Sequence, residues 1–341
     1  MANFTSTYDG VSDHAAYICD INVPTITGPF FILIFIISIT CNSLLLCVLF
    51  IYENLKNITN IFILNLACSD LIFTITLPFW AVHHLHHWVF GDSSCKFVTA
   101  AFFVGLYSSV ILLTAMTVDR FIAVVLHKLN SNHTKRKKYA VGACISAWVI
   151  SISASLHDAM KVEVENLDGK NYCYDKSDEQ LGRYLQVSLL FFLPFVIIIF
   201  CYSAILKTVL QGLNRKKHKT VAVLLCIVAV FFICWGPYHI MLLITSLYKP
   251  NGCKAQEQLA VAYHICEMLA YSHCCMNPLL YMLSQKLRNN LFNLLKCKNL
   301  CSKNKEENIG QKTSGIQNVA FTVDNSSVNT ERRNDPFKSP S

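Results

Sequence analysis

Seven long apolar stretches alternate with short polar ones, near residues 24–52, 59–82, 95–126, 139–155, 181–210, 219–247 and 258–283. None shows the polar face, recurring every turn, of a helix half in water. A bilayer crossing takes about 20 apolar residues at ~1.5 Å each. The first stretch contains no Asp, Glu, Lys or Arg at all. The pattern predicts an all-α fold, an integral-membrane bundle of seven transmembrane helices. Past the last stretch, Leu287, Leu291, Leu294 and Leu295 fall on one helical face opposite basic residues. This predicts a short amphipathic helix on the membrane surface. The chain divides into a tail (1–23), the bundle (24–284), the surface helix (285–298) and a second tail (299–341). The second tail is rich in Ser, Thr, Asn and charge, which predicts disorder.

Charge gives the bundle a direction. The net charge of +8 is sorted by loop, so it does not point to a nucleic acid. No Lys or Arg precedes Lys56, while Lys128, Lys135–Lys138 and Arg215–Lys219 supply basic residues to two loops. Lys286, Arg288, Lys296 and Lys298 follow the last stretch. Basic loops stay cytoplasmic, so the N-terminus is expected outside the cell. The polar start, 1–22, has no basic region before an apolar core, so no cleaved signal peptide is expected. Asn3 heads an exposed glycosylation sequon, Asn3-Phe4-Thr5. Of 16 cysteines, most lie in helices, among them Cys41, Cys68, Cys226 and Cys275, where packing is the simplest role. Cys19, Cys95, Cys173 and Cys253 fall in expected outer segments, an even set suited to two disulfides with three pairings. Cys297 and Cys301, just past the last helix, suit palmitoylation.

The polar groups left inside the membrane carry the chemistry. Asp70 sits mid-helix, where an uncompensated charge costs roughly 2.5–3.5 kcal/mol. Asn42, Ser109, His273 and Asn277 lie at similar depth and are candidate partners. The group reads as an interhelical hydrogen-bond network or as a hydrated cation site, with sodium the candidate ion. Asp119 and Arg120 end the third stretch and can pair with each other. Pro237, beside Trp235, and Pro278, beside Asn277, kink their helices and suit hinges. Glu267 is the only acid expected well inside the outer half, a candidate ligand contact. His83, His84, His86 and His87 cluster after the second stretch. His83 and His87 would share a helical face, a weak metal signal; solvated loop histidines are the simpler reading. There is no nucleotide-binding loop and no soluble catalytic domain, so no enzyme is expected.

In this order, Asn42, Leu66–Asp70, Asp119-Arg120, Cys234–Tyr238 and Asn277–Tyr281 resemble the rhodopsin-like family of G-protein-coupled receptors. Thr76-Leu77-Pro78-Phe79-Trp80, Trp88–Gly91 and Ser272–Pro278 narrow the resemblance to the chemokine receptors. Residues 59–70 and 253–281 look most like that group's lymphotactin (XC-type) branch. The resemblance implies disulfides Cys95–Cys173 and Cys19–Cys253, a plasma-membrane location and a chemokine ligand. It also implies a heterotrimeric G protein, most simply of the inhibitory class, as inner partner. Arrestin and receptor kinases would meet the tail, where Ser314, Ser326, Ser327, Thr330 and Ser339 could accept phosphate.

By resemblance, a basic chemokine first meets the acidic rim. The rim includes Tyr8-Asp9, a sulfation candidate, and Glu163, Glu165, Asp168, Asp175, Asp178 and Glu179. Its N-terminal amine then reaches Glu267 among Trp80, Trp88, Phe102, Tyr107 and Tyr238. Trp235 and Pro237 let the sixth helix swing, and Arg120 leaves Asp119 for Tyr202 and Tyr281. Three departures stand out. Phe121 replaces the Tyr usual after Arg, His127 stands where relatives carry Pro or Ala, and Phe31 replaces an outer-pocket Tyr. Phe121 keeps a scavenging receptor without G-protein coupling as the alternative, with a receptor for another peptide third. A retinal sensor needs a lysine between residues 258 and 283, and there is none. A transporter would show a charged relay or repeat symmetry. An amine receptor would carry an acid near Phe102.

Overall fold

The computed structural model describes residues 26–126, 133–167, 169–175, 180–210, 215–248, 252–281, 288–294 and 296. Its helices are α1 (Thr27–Tyr52), α2 (Ile58–Thr74), α3 (Leu77–Leu85), α4 (Asp92–Val124), α5 (His133–Lys161), α6 (Gln180–Leu210), α7 (Arg215–Leu247), α8 (Cys253–Tyr271) and α9 (His273–Tyr281). Two strands, β1 (Val162–Leu167) and β2 (Lys170–Asp175), form an antiparallel hairpin between α5 and α6. The hairpin is absent from the sequence reading, which saw only a polar loop there.

Among the described residues six helical spans are long and apolar enough to cross a bilayer. The second of these is α2 and α3 together. Its axis breaks at Ile75-Thr76, where the Thr76 hydroxyl donates to the Phe73 carbonyl at 2.7 Å and Pro78 enters the first turn of α3. Proline suits that position because its missing N–H would have been unpaired anyway. The seventh apolar stretch divides at Ser272 into the 19-residue α8 and the nine-residue α9. Proline lies inside three helices: Pro194 in α6, Pro237 in α7 and Pro278 in α9.

Lipid, not water, surrounds the bundle. Phe50, Ile51, Ile145, Val149, Ile152, Leu156 and Phe200 all stand exposed on the helix surfaces. A soluble protein does not leave such a belt bare. The buried side holds Leu45, Phe62, Leu66, Phe73, Leu112 and Trp235. Here α2 and α4 run unusually close. A Cβ on Gly105 would sit 2.8 Å from the Phe73 backbone nitrogen, and the Ser69 hydroxyl donates to the Gly105 carbonyl at 2.8 Å. Cys226 is exposed on α7, so its thiol is not packed in the interior.

One end of the bundle is tied to the hairpin. Cys95, at the start of α4, is disulfide-bonded to Cys173 of β2. Asp92 accepts from the Val164 N–H at 3.1 Å, and the Trp88 N–H donates to the Asn171 carbonyl at 2.7 Å. Cys253 is disulfide-bonded too; its expected partner, Cys19, lies outside the described residues. So do Asn3, Tyr8, Asp168, Cys297, Cys301 and the proposed tail phosphorylation sites. Within the predicted surface helix, residues 288–294 are helical, and the Asn290 amide donates to Glu53 at 3.0 Å.

Candidate functional site

At the hairpin end, Glu267 is fully buried on the inner face of α8. His264, one turn earlier, brings Nδ1 to 3.1 Å from Glu267 Oε2. His84 of α3 brings Nε2 to 3.7 Å from the same oxygen. The two imidazole rings meet edge to face at 5.5 Å. Phe31 lies edge-on to His84 and stacks on Tyr271 at 4.8 Å. The lost hydroxyl of Phe31 is thus matched by a fully packed ring. Tyr238 and Tyr263 share a hydroxyl–hydroxyl contact of 3.2 Å across α7 and α8.

The remaining expected pocket residues are more enclosed than an open rim would leave them. Trp80 is buried against Trp88, His83 and Phe102. Trp88 is buried, and its indole N–H donates to the Gly91 carbonyl at 2.9 Å. Tyr107 donates to Asp158 at 2.8 Å. Asp158 corrects the expectation that Glu267 is the only acid within this half. Helix α5 runs to Lys161, past the apolar stretch that ended at residue 155, and carries the carboxylate inward. The histidine cluster is corrected as well. Helix α3 ends at Leu85, so His87 leaves the face of His83, and His83 is buried among Trp80, Trp88 and Tyr172 rather than solvated. On the hairpin, Tyr174 hydrogen-bonds to Glu165, and that carboxylate pushes the phenol up to about 12.

Deeper in the bundle, Trp235 is wholly buried, with ring contacts to Phe73, Tyr238, His239, Tyr271 and His273. His273 leads on to Asp70, its Nε2 lying 3.9 Å from Asp70 Oδ1. The Asn277 amide donates to Asp70 Oδ2 at 2.9 Å, and the Ser109 hydroxyl reaches Oδ1 at 3.4 Å. Ser109 also contacts Ser69 at 2.9 Å, and Ser69 contacts Ser108. Three of the four expected partners therefore face Asp70. Asn42 does not pair with it. Its amide donates to the Cys274 carbonyl at 2.8 Å and to Ser38 at 3.1 Å, which pins α1 to the start of α9. Interhelical hydrogen bonds in membranes average only ~0.6 kcal/mol. The network's main effect is to fix which helix faces meet.

At the far end, Asp119 is held on both carboxylate oxygens. Arg120 Nη2 lies 3.3 Å from Oδ2, and Arg136 of α5 donates to Oδ1 at 2.7 Å. Arg120 also donates to the Thr59 hydroxyl of α2. Tyr202 is buried in α6, and Phe121 meets Phe200 at a ring separation of 6.0 Å. Tyr281 is the last residue of α9, and its side chain lies outside those described.

Sequence reasoning missed His84 and His264 as partners of Glu267, Tyr271 at the centre of the aromatic cluster, and Arg136 on Asp119. A signal for His264 was available: it stands three residues before Glu267, the spacing that puts two side chains on one helical face.

Residues 41–281 match the family described as 7 transmembrane receptor (rhodopsin family). The chain is 38% identical to chemokine XC receptor 1 of Homo sapiens over 276 residues, covering 79% of this chain and 81% of that protein. It is 38% identical to the Mus musculus protein of that name over 310 residues, covering 89% and 94%. With C-C chemokine receptor type 3 of Cavia porcellus it shares 34% over 261 residues, 74% and 73% of the two chains. The matched segment includes Asp70, Asp119-Arg120, Trp235, Glu267 and Asn277-Pro278, and the helices it covers are those of a multi-pass plasma-membrane protein. The chain belongs to the rhodopsin family of seven-transmembrane receptors, within its chemokine-receptor group, a family of receptors and not of enzymes.

Proposed function

We propose that the chain captures a basic chemokine outside the cell and converts that binding into nucleotide exchange on a heterotrimeric G protein, of the inhibitory class. The hairpin end is the extracellular one and the Arg120 end the cytoplasmic one, as the sorting of basic loops requires. The observation that carries the proposal is a buried contact chain that runs from the outer carboxylate into the middle of the bundle. It starts at Glu267, continues near Tyr271, and passes by ring contacts of 6.3 and 5.2 Å through Trp235 to His273. From His273 it reaches Asp70 and Asn277. A cation at Glu267 would bias the packing of Tyr271 and Trp235. A ligand shifts the resting equilibrium only by its differential affinity for the two packings. Pro237 lets α7 swing, and Arg120 exchanges Asp119 for Tyr202 and the α subunit of the G protein.

Asp70 suits a hard monovalent cation, because its carboxylate and the Ser109 hydroxyl offer oxygen donors close together. Sodium held by Asp70 and Ser109 would offset the buried charge in the resting packing. Receptor kinases and arrestin would act on the Ser- and Thr-bearing tail after activation.

The test is chemokine-stimulated GTP exchange in membranes that hold the unmutated receptor, beside Arg120→Ala. Exchange with the unmutated chain, lost in Arg120→Ala at equal surface level and chemokine binding, is the expected result. Binding and internalisation without exchange would replace this reading with the scavenging one, which Phe121 favours. Binding of a peptide other than a chemokine would replace the ligand class.

A further inference from the structure

We propose that His84, His264 and Glu267 form a binding site for a divalent transition-metal ion, of which zinc is the best fit. The three donor atoms come from two helices and all lie within 4.8 Å of one another. Zinc bonds of about 2.0–2.1 Å in tetrahedral geometry place donors about 3.4 Å apart. The observed 3.1 Å from His264 Nδ1 and 3.7 Å from His84 Nε2 to Glu267 Oε2 bracket that spacing. One hydrogen bond would account for His264 and Glu267 alone. It does not account for a second imidazole, on another helix, turned to the same carboxylate oxygen.

The donor set selects the ion. Two imidazoles and one carboxylate are borderline ligands that suit zinc and related transition ions, whereas calcium and magnesium take oxygen ligands. Three protein ligands leave a fourth position for water or for a donor from a bound peptide. His84 and His264 keep 16% and 14% of their side chains exposed while Glu267 keeps 2%, so an ion can enter from the histidine side. Phe31 against His84 and Tyr263 against His264 hold the two rings in place.

The site gives the receptor a metal input. Zinc on Glu267 consumes the carboxylate charge, so metal and a cationic peptide terminus compete for it. That consequence rests on the proposed function; the metal site itself does not.

The test uses the full-length receptor, purified in detergent, with zinc chloride as the probe. Equilibrium dialysis should find one zinc per receptor. X-ray absorption at the zinc edge should show a nitrogen and oxygen shell near 2.0 Å and no sulfur. His84→Gln and His264→Gln should each weaken zinc binding at least about tenfold, because loss of an outer-shell partner alone costs 10- to 100-fold. His87→Gln should leave it unchanged. A sulfur shell would assign the metal to a cysteine such as Cys266 and overturn the proposal. So would equal zinc affinity in the unmutated receptor, His84→Gln and His264→Gln, or no binding at all. Zinc should also raise the chemokine concentration needed for half-maximal exchange, and His264→Gln should remove that effect. If zinc binds with the expected shell and leaves chemokine potency unmoved, the metal site stands and the pairing of Glu267 with the ligand's amine falls.

Discussion

A carboxylate buried between two imidazoles is held in place yet remains one short contact away from a cationic visitor. Glu267 has neither Lys nor Arg beside it among the described residues, only His84 and His264. An incoming ammonium group therefore does not have to displace a fixed cation. A charge-assisted hydrogen bond of this kind contributes about 1.5–3 kcal/mol. Glu267→Gln preserves shape and removes the charge, so chemokine potency should fall roughly 10- to 150-fold. Initial capture, supported by the acidic rim, should change much less, because steering by exposed charge acts mainly on the association rate. Concentration–response curves for exchange, set beside surface binding at equal expression, separate the two effects. Unchanged potency would make Glu267 a structural partner of its histidines and nothing more.

Between elements, the informative contacts are the ones that can be exchanged. Asp119 on α4 is shared by Arg120 of its own helix and Arg136 of α5. The two guanidiniums compete for one carboxylate, which predicts opposite signs for two mutations. Asp119→Asn weakens both pairs and should raise basal GTP exchange. Arg136→Gln leaves the whole carboxylate to Arg120 and should lower basal exchange below that of the unmutated receptor. Equal increases in both variants would mean that Arg136 merely staples α5 to α4. The contact of α2 with α4 is of the opposite kind, fixed by close approach. A methyl group on Gly105 meets Phe73 Cβ at 2.7 Å and its backbone nitrogen at 2.8 Å. Backbone cannot step aside as a side-chain tip can, and overpacking of this sort costs about 1–3 kcal/mol. Gly105→Ala should lower the melting temperature of the purified receptor and its surface level together. An unshifted melting temperature would show that α2 and α4 separate freely.

Across the whole molecule, depth in the membrane was legible in the sequence, and rotation about each helix axis was not. Lipid makes composition nearly decisive for where a helix runs, so the apolar stretches coincide with the helices and Asp70, Ser109, His273 and Asn277 fall at one level. Asn42 shares that level but faces Ser38 and the Cys274 carbonyl. Each residue turns a helix by about 100°, so depth alone does not say which neighbour a side chain meets. Helix ends were poorly legible for a related reason. Backbone hydrogen bonding carries α5 beyond its apolar stretch to Lys161, which brings Asp158 inside, and stops α3 at Leu85, which separates His83 from His87. The hairpin had a local signal that the reading passed over, Asp168-Gly169 between Leu167 and Lys170, which pair in its register; its attachment to the bundle rests on tethers distant in sequence, Cys95 to Cys173 and Asp92 to Val164. Those tethers carry the last prediction. A native disulfide typically contributes about 2–4 kcal/mol, and this one anchors the hairpin that holds Glu165 on β1 and Tyr174 on β2 to the mouth of the bundle. Cys173→Ser should therefore abolish chemokine binding even in the receptor that still reaches the cell surface. Peptide mapping of the unreduced protein should recover Cys95 joined to Cys173, Cys253 joined to Cys19, and a glycan on Asn3 with none on Asn132, whose sequon Asn132-His133-Thr134 falls in a basic loop expected inside the cell. A glycan on Asn132 would invert the bundle in the membrane, and Cys19 joined to Cys95 would detach the hairpin from α4. Normal chemokine affinity in Cys173→Ser would show that the hairpin lies outside the ligand's path.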